Sequence, residues 1–501
     1  MPSLSERNQT LLVVFAVVTA GVVLSCPWPV LDEESYLAIA GQFSMTRPYD
    51  WWRPWPPWLG GREADAFVYA HPPIHLLWVS ALSLLPLPLT TLKAFSGLPW
   101  ALMLAASALV IARKTCRRPG LALWVWLTAP ITLLTLQRGL MPDLPVVAWS
   151  TAAVAGWLIG GRTAVLGGLC LGMAIWTKYP ALLLAVVLAA DGWKNQRQRR
   201  NFWMAALLIP TLGEIWLWVA YGRLHLWEVL SRAGEIPRGP LPGRIQGLLV
   251  RASLLAPLPV LLAAPNRMRR ALAALAIAAV AWGWAGGPVG LLLWVWVGGL
   301  SVVLAMVTLW GNSQQDRPLF LLGFWVMAVF AGVGVGHNFA GARYLFPAAL
   351  PTALLLVNQL EARQRGRWLL WTGGAVWLVL ALVLTWAEHR LAEAQVALAD
   401  TAIAHWPEGG QFQGEWTFRW RMEQAGWDFY TGSTDGRVVV SASHAAAGSP
   451  PPGERVERFT HGDAGPIIVA PEQQVGLYGE TIGVWPFGWS DGPIEEVTAW
   501  R

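Results

Sequence analysis

The sequence predicts a polytopic α-helical membrane protein with a small polar region at its C-terminal end. Of its 501 residues, 55% are hydrophobic and only 13% are charged, and the mean hydropathy is +0.44. Soluble globular proteins carry about 25% charged residues, so this composition excludes a disordered chain and a water-soluble enzyme. The 36 basic and 30 acidic residues leave a net charge of +6, but the cations stand in short clusters between apolar runs. This pattern does not indicate a nucleic-acid partner.

Thirteen apolar segments are candidate transmembrane helices. A bilayer core about 30 Å thick needs roughly 20 residues of helix, and packed inner helices can be shorter. In chain order the candidates are Gln9–Val30, Ala94–Ala112, Leu121–Leu136, Leu144–Ile159, Ala164–Ile175, Ala181–Ala190, Phe202–Tyr221, Gly247–Ala264, Ala271–Ala285, Pro288–Trp310, Leu319–Val335, Tyr344–Val357 and Trp368–Ala387. The sequence Val23-Leu24-Ser25-Cys26 weakly resembles a lipoprotein cleavage site, but the long apolar stretch favours an uncleaved first span.

The basic clusters predict how these helices are oriented. The segment Ile74–Leu89 is apolar but interrupted by Pro86 and Pro88, and we interpret it as an interfacial or re-entrant helix. Four basic clusters then fall on one side of the membrane: Arg113–Arg118, Lys194–Arg200, Arg267–Arg270 and Arg363–Arg367. Since Lys and Arg accumulate in cytoplasmic loops, we predict a plasma-membrane protein with a cytoplasmic N-terminus. The first loop, residues 31–73, and the C-terminal region then lie on the periplasmic or extracellular face.

The chain changes character after residue 387, which divides it into two predicted domains. Residues 1–387 form the transmembrane domain, and residues 388–501 are polar and rich in turn signals. Short β-rich runs occur at Arg437–Ser441 and Pro466–Ala470, and Glu415–Ala425 has helical spacing that ends at Gly426. The second domain is therefore predicted to be a small outer α+β domain.

Two acidic positions at the outer membrane face are the first candidates for chemistry, because charges near a bilayer are costly. Asp32 and Glu33 open an amphipathic helix directly after the first span, and Asp143 precedes the fourth span. Each acid is also well placed to cap a helix N-terminus. Together with Arg138, the carboxylates suit either a general-base site or a metal site. Their spacing does not choose between the two.

Several cations on the predicted outer face run against the positive-inside rule. They include His71, Lys178, Arg251 and Arg343. Their side chains could snorkel to lipid headgroups, but Lys178 lies between two short spans, where snorkelling explains less. Converging cations at this face would suit a phosphate held at the membrane surface.

An acidic residue inside a span and a tryptophan-rich segment each have both a structural and a functional interpretation. Glu214 lies inside a predicted span, where it is either a helix–helix hydrogen-bonding group or a site residue. The segment around Trp51, Trp52 and Trp55 is dense in tryptophan. An interfacial aromatic belt explains it, and stacking on a sugar ring is the alternative.

The order of these motifs resembles the GT-C superfamily of integral-membrane glycosyltransferases. The motifs are an Asp-Glu after the first span, a basic residue before Pro-Pro, Met-Pro-Asp before the fourth span, Thr-Lys-Tyr-Pro between short spans, and Arg-Tyr-Leu-Phe-Pro late in the membrane domain. The resemblance runs from about residue 9 to residue 387. The chain looks most similar to bacterial relatives of protein O-mannosyltransferases and of the lipid A aminoarabinose transferase. Residues 414–422 look like the outer domain of some bacterial members.

The resemblance implies a sugar donor carried on a polyprenyl phosphate and an inverting transfer to an acceptor hydroxyl. The acceptor could be lipid A, another glycan, a lipid or a protein. Asp32, with Glu33 beside it, would be the catalytic carboxylate, and Asp143 the second acid. The donor phosphate would be held by His71, Lys178 and Arg343, with Arg138 matching an upstream arginine of many relatives. His71 departs from the lysine found in some relatives, which would make phosphate binding sensitive to pH.

Two other functions remain as alternatives. A transporter or flippase for lipid-linked sugars would be expected to carry paired charges at mid-membrane, whereas the candidate residues here collect at one face. A noncatalytic scaffold would require Asp32 and Asp143 to lie far apart. A divalent metal is compatible with the acids, but the three cysteines are widely separated and the sequence holds no metal-ligand spacing.

Overall fold

Apolar helices form most of the molecule, and a small mixed α/β region follows them. The computed structural model describes residues 24–51, 66–69, 71–191, 196–232, 240–255, 316–336, 341–361, 367–432, 437–443, 453–473, 475–478 and 485–501, with a few isolated positions. The predicted spans Gln9–Val30, Ala271–Ala285 and Pro288–Trp310 lie wholly or mostly outside these residues, as do Trp52 and Trp55.

Helices account for most of the described chain before residue 405. They are α1 (Glu33–Ala40), α2 (Ala66–Tyr69), α3 (Ile74–Ser83), α4 (Leu89–Thr115), α5 (Pro119–Leu127), α6 (Pro130–Leu136), α7 (Asp143–Ile159), α8 (Thr163–Thr177), α9 (Leu182–Ala190), α10 (Gln196–Tyr221), α11 (His225–Arg232), α12 (Leu241–Ala252), α13 (Arg317–Ala331), α14 (Phe346–Glu361) and α15 (Arg367–His405). Short 3₁₀ turns at Tyr179–Ala181 and Ala342–Leu345 precede α9 and α14.

Four helical segments of the described chain are long and apolar enough to cross a bilayer. They are Leu89–Thr115, Gln196–Tyr221, Arg317–Gly336 and Leu370–His405. A fifth would be α5 and α6 taken together, which are bent by 73°. Pro119 and Pro130 each begin one of these two helices, a position that suits a residue without an amide hydrogen. The predicted continuous helix Leu121–Leu136 is therefore divided into two helices, which form either a broken span or a re-entrant loop.

Other predicted spans form shorter helices, so the predicted number of thirteen is not confirmed. Helices α7 and α8 have 17 and 15 residues and pack closely against each other. A Cβ atom on Gly156 would lie 2.7 Å from the Cα of Gly167, which shows how small residues let two apolar helices approach. The segment Ile74–Leu89 holds only the short helix α3, consistent with its interpretation as a helix that does not span the membrane.

The C-terminal ends of α4 and α14 lie side by side, at the opposite end of α14 from Arg343. The amide of Arg117 donates to the Glu361 carboxylate at 2.7 Å, and Asn358 donates to the Thr115 carbonyl at 2.8 Å. The predicted basic cluster Arg113–Arg118 therefore lies at this end of the helical bundle.

The long helix α15 joins the helical bundle to the C-terminal region. The domain boundary predicted after residue 387 falls within it, because the helix continues to His405. Beyond it lie α16 (Trp416–Gln424) and the strands β1 (Gln411–Gln413), β2 (Asp428–Phe429), β3 (Val439–Ala442), β4 (Arg455–His461), β5 (Gly465–Ile467), β6 (Val469–Ala470), β7 (Val475–Gly476), β8 (Gly488–Ser490) and β9 (Glu495–Trp500). The predicted helix and both predicted strand regions are confirmed.

The C-terminal strands form one five-stranded sheet and two antiparallel pairs. The sheet has the order β2-β1-β3-β9-β4, with β1 parallel to both of its neighbours. Its apolar face packs on α16 and the end of α15. The pairs β5–β8 and β6–β7 instead share the core of the helical bundle. Part of the C-terminal region is therefore built into the membrane domain.

Candidate active site

Asp32 is positioned by a strained turn at the start of α1. The preceding Leu31 is buried and has a φ of 51°, which is uncommon for a residue with a side chain and costs about 1 kcal/mol or more. Although Asp32 occupies the N-cap position, its side chain makes no capping hydrogen bond. Its carboxylate is instead 2.7 Å from the guanidinium of Arg343. The capping interpretation of Asp32 is therefore wrong.

Arg343 reaches Asp32 from the 3₁₀ turn before α14. Its second terminal nitrogen donates to the hydroxyl of Tyr344 at 3.0 Å. The ring of Tyr344 also lies near both cations, because its centroid is 5.1 Å from the Arg343 guanidinium carbon and 5.1 Å from Lys178 Nζ. Such contacts are attractive through the ring quadrupole. Tyr344 therefore bridges the two cations.

Lys178 lies where α8 ends, and its ammonium group is 2.7 Å from the carboxylate of Asp143. Asp143 is the first residue of α7, and Pro142 holds the N-cap position. Burial would raise the pKa of Asp143, but the positive charges of Lys178 and Arg343 outweigh that effect and lower it to about 2. Asp143 is thus ionised and paired, and it does not act as a simple helix cap.

The two ion pairs belong to one group, which we call the outer ionic cluster. Burial opposes the charge on Arg343, yet Tyr344, Asp32 and Asp143 together raise its pKa well above the ordinary value. The pKa of Tyr36 is raised by burial and by both acids. The cluster is formed by Asp32, Asp143, Lys178, Arg343 and Tyr344. Asp32 and Asp143 are therefore close enough to act on the same neighbours, contrary to what the scaffold alternative requires.

Accessibility differs within the outer ionic cluster. The side chain of Asp32 is 43% exposed and that of Arg343 is 14% exposed. The side chains of Asp143 and Lys178 are only 8% and 6% exposed. Asp32 is therefore the carboxylate that an incoming molecule can reach.

Glu33 lies in a separate, fully buried site. Its carboxylate is 2.6 Å from the ammonium group of Lys93, and both side chains are 0% exposed. It also accepts hydrogen bonds from the amides of Val30 at 3.1 Å and Leu140 at 3.2 Å. Lys93 donates further to the carbonyls of Cys26 and Trp28. The structure does not bring Glu33 into the outer ionic cluster.

Arg138 and Arg251 also have buried protein partners. Arg138 pairs with the carboxylate of Glu388 and donates to the hydroxyl of Tyr478 at 3.2 Å. Arg251 is 0% exposed and donates to backbone carbonyls, among them that of Gly483 at 2.8 Å. Neither guanidinium is directed at the outer ionic cluster by the hydrogen bonds described.

The remaining candidates lie around the cluster. His71 is half-buried, and its charge helps to lower the pKa of Asp143. Glu214 accepts hydrogen bonds from the Tyr179 hydroxyl at 3.0 Å and the Leu226 amide at 3.1 Å, as the helix–helix interpretation predicts. Trp51 is buried in an apolar group with Ile39 and Leu76.

An apolar cavity of about 240 Å³ lies beside the buried ion pair of the cluster. Trp78, Trp100 and Trp149 line it in a chain of ring contacts with centroid distances of 5.6 and 5.3 Å. Thr177 and Pro145 also line it, next to Lys178 and Asp143 in the chain. Burial lowers the pKa of the neighbouring His75 to about 4, so this wall is uncharged at neutral pH. An apolar surface thus adjoins paired charges.

Sequence reasoning missed several residues that build this region. They are Lys93, Tyr344, Glu388 and Tyr478. Lys93 is a charge inside an apolar helix, and that signal was sufficient to mark it. Tyr344 follows Arg343 in the Arg-Tyr-Leu-Phe-Pro motif. Tyr478 carries no local signal, because its partners are 340 and 90 residues away.

Among the described residues, no three His, Cys, Asp or Glu side chains are grouped as a metal site.

No protein-family model matches the chain, and no curated protein matches it. Among solved structures, the chain is similar to the crystal structure of ArnT from Cupriavidus metallidurans bound to undecaprenyl phosphate. The TM-score is 0.40 and the sequence identity 16%, and the match covers 87% of this chain and 93% of that one.

Proposed function

We propose that the protein is a membrane glycosyltransferase that moves a sugar from a polyprenyl-phosphate donor to an acceptor hydroxyl. The observation that carries the proposal is the outer ionic cluster, in which an accessible carboxylate, two cations and a buried carboxylate meet at one end of the helical bundle. The sequence motifs that resemble GT-C enzymes supply these same four residues. An accessible base beside cations is what the reaction needs.

Asp32 is proposed as the general base. A base must reach the proton that it removes, and the side chain of Asp32 is 43% exposed. Asp143 is a weaker candidate, because it is buried, paired with Lys178 and has a pKa lowered to about 2. We assign Asp143 the task of holding Lys178 in place.

Arg343 and Lys178 are proposed to hold the donor phosphate, with His71 nearby. The two negative and two positive side chains of the cluster balance in the free protein, so a phosphate would compete with Asp32 for Arg343. Binding the donor would then release the Asp32 carboxylate at the moment when a base is needed. The apolar cavity lined by tryptophan offers a surface for part of the prenyl chain beside these cations.

The proposed reaction is a single displacement with inversion at the anomeric carbon. The acceptor oxygen forms a bond to that carbon while its proton passes to the Asp32 carboxylate. The bond from the carbon to the phosphate oxygen breaks, and its electron pair stays on the phosphate. Since the leaving group gains negative charge, Arg343 and Lys178 stabilise the transition state more than the bound donor.

The reaction is proposed to occur on the outer face of the plasma membrane. The basic cluster Arg113–Arg118 lies at the end of the bundle where α4 and α14 terminate. The outer ionic cluster lies at the opposite end, where α7 and α14 begin. With the positive-inside rule, this arrangement supports a location of the ionic cluster and the C-terminal region on the periplasmic or extracellular side.

Transfer assays with purified protein test this function. The protein is incubated in detergent with radiolabelled polyprenyl-phosphate sugars and, separately, with the matching nucleotide sugars. We expect label to leave only the lipid-linked donor and to appear in a lipid, glycan or protein acceptor. Transfer from nucleotide sugars alone would contradict the proposal.

A transport assay separates the proposal from the flippase alternative. The protein is reconstituted in liposomes with a fluorescent lipid-linked sugar, and the fraction exposed on the outer leaflet is followed with a membrane-impermeant quencher. A flippase would equilibrate the two leaflets and leave the sugar–phosphate bond intact. We expect no equilibration above that of protein-free liposomes.

A further inference from the structure

A turn of the C-terminal region lies directly against the loop that carries Arg343. We call residues 475–478, from the start of β7 to Tyr478, the support turn. The Leu477 carbonyl accepts a hydrogen bond from the Ala342 amide at 3.2 Å. A Cβ atom on Gly341 would lie 2.6 Å from the Tyr478 carbonyl oxygen. Glycine at this position therefore allows the two backbones to touch one residue before Ala342.

Arg251 anchors the support turn to the membrane helices. From α12, its guanidinium donates to the carbonyls of Leu477 at 3.3 Å, Gly476, and Gly483 at 2.8 Å. Another guanidinium nitrogen donates to Gly247 on its own helix at 3.0 Å. An arginine used in this way fixes backbone positions, because its planar group presents several donors in a rigid arrangement.

The hydroxyl of Tyr478 provides a second anchor. It donates to the carboxylate of Glu388 on α15 and accepts from Arg138 at 3.2 Å. The guanidinium carbon of Arg138 lies 5.1 Å from the centroid of the Tyr478 ring. The ring also meets Trp416 edge-on, with centroids 5.9 Å apart. Three separate parts of the chain thus hold this one side chain.

We infer that the support turn positions Arg343 for the donor phosphate, so that the C-terminal region completes the active site. The inference rests on the proposed function and adds to it a role for residues outside the outer ionic cluster. Arg343 follows Ala342 directly, so a shift of the support turn is transmitted to its backbone. Charge-assisted hydrogen bonds weaken steeply when their geometry is lost. Arg251 and Tyr478 are positioning residues in this scheme, and neither touches substrate.

A pair of glycine variants tests the inference. Gly341→Ala adds a methyl group against the Tyr478 carbonyl, and the backbone of Gly341, with φ of −74°, accepts alanine without strain. Gly336→Ala is the matched control, because a Cβ atom there meets no atom within 4 Å. We expect Gly341→Ala to raise the donor KM and the Kd for a polyprenyl monophosphate about tenfold. Its kcat should change less, and Gly336→Ala should behave as the wild type.

A double-mutant cycle shows whether Arg343 transmits the effect. Gly341→Ala is combined with Arg343→Gln, and the donor KM is compared with that of Arg343→Gln alone. If the support turn acts through Arg343, the second substitution adds almost nothing, because contacting residues are not additive. Two independent tenfold effects would overturn the inference.

Tyr478→Phe gives a second route that does not depend on adding a methyl group. It keeps the ring packed on Trp416 and removes the hydroxyl shared by Arg138 and Glu388. We expect a raised donor KM with an unchanged folded fraction in size-exclusion chromatography. An unchanged KM in both Tyr478→Phe and Gly341→Ala, with active wild-type protein, would overturn the positioning role alone. Wild-type protein that neither binds polyprenyl monophosphate nor transfers sugar would instead overturn the proposed function and this inference with it.

Discussion

Asp32 and Glu33 are neighbours in sequence and have opposite surroundings. Asp32 is 43% exposed and forms an ion pair with Arg343. Glu33 is 0% exposed and is held by Lys93 and by two backbone amides. Consecutive residues at the start of α1 point in different directions, so one carboxylate faces the outer ionic cluster while the other faces the helix packing.

The difference shows what separates a reactive carboxylate from a structural one. A buried ion pair tolerates no loss of a partner, because the remaining charge stays desolvated. A carboxylate that is partly exposed exchanges its partner for water at a smaller cost than a fully buried one. The sequence Asp-Glu therefore combines a group that can be released for chemistry with one that fastens α1 to α4 and to the loop before α7.

The largest effect is expected from Asp32→Asn. It removes the proposed base, so kcat should fall at least about a hundredfold, while the stability changes by less than about 1 kcal/mol because the ion pair is partly exposed. Steady-state transfer rates and the thermal midpoint in detergent measure the two quantities. Full activity of Asp32→Asn would remove Asp32 from the catalytic role.

Glu33→Gln should show the reverse pattern. Removing one partner of a buried pair leaves Lys93 charged in a dry site and costs about 3 kcal/mol. We expect a lower thermal midpoint and less folded protein, with kcat per folded molecule changed far less than in Asp32→Asn. The double variant Glu33→Gln with Lys93→Met is the control, because removing both charges should recover part of the stability. A Glu33→Gln protein as stable as the wild type would show that the pair is not structural.

Sequence patterns predicted the helical membrane architecture, the C-terminal strands and the positions of all four charged residues in the outer ionic cluster. The charged residues could be predicted because charges next to apolar runs are rare and therefore informative. Side-chain direction was not predictable. Asp32 and Glu33 have the same chemistry and adjacent positions, and only the partner chosen by each, Arg343 or Lys93, distinguishes them.

The contacts between residues far apart in the chain could not be predicted from the sequence. The hydrogen bonds of Tyr478 with Arg138 and Glu388 join segments that are far apart in the chain, so no helical or strand periodicity relates them. The predicted boundary after residue 387 falls inside α15 for a related reason. Polar residues begin there, but α15 continues to His405 because its later turns pack on the C-terminal sheet.

Asp143 tests whether a buried carboxylate of the outer ionic cluster stabilises the fold, as we expect of Glu33. Its pKa is lowered from 3.8 to about 2 in the folded protein, so its stabilising contribution is complete above about pH 4 and is lost as the pH falls towards 2. Between about pH 5 and pH 2, the wild type should therefore lose about 2 kcal/mol more stability than Asp143→Asn. Unfolding midpoints measured across this range in the two proteins give the comparison. Parallel curves would mean that Lys178 does not stabilise the ionised carboxylate.

The smallest effect is expected at Tyr344, where two contributions can be separated. Tyr344→Phe removes the hydroxyl that accepts from Arg343 and keeps the ring beside Lys178. Tyr344→Leu removes both. A neutral hydrogen-bond acceptor and a cation–π contact are each worth about 1 kcal/mol, so the donor KM should rise about threefold to fivefold in Tyr344→Phe and further in Tyr344→Leu. If Arg343 exchanges Asp32 for phosphate as proposed, the hydroxyl is what keeps its guanidinium aligned during the exchange. Equal KM values for Tyr344→Phe and the wild type would show that the hydroxyl does not help to align Arg343.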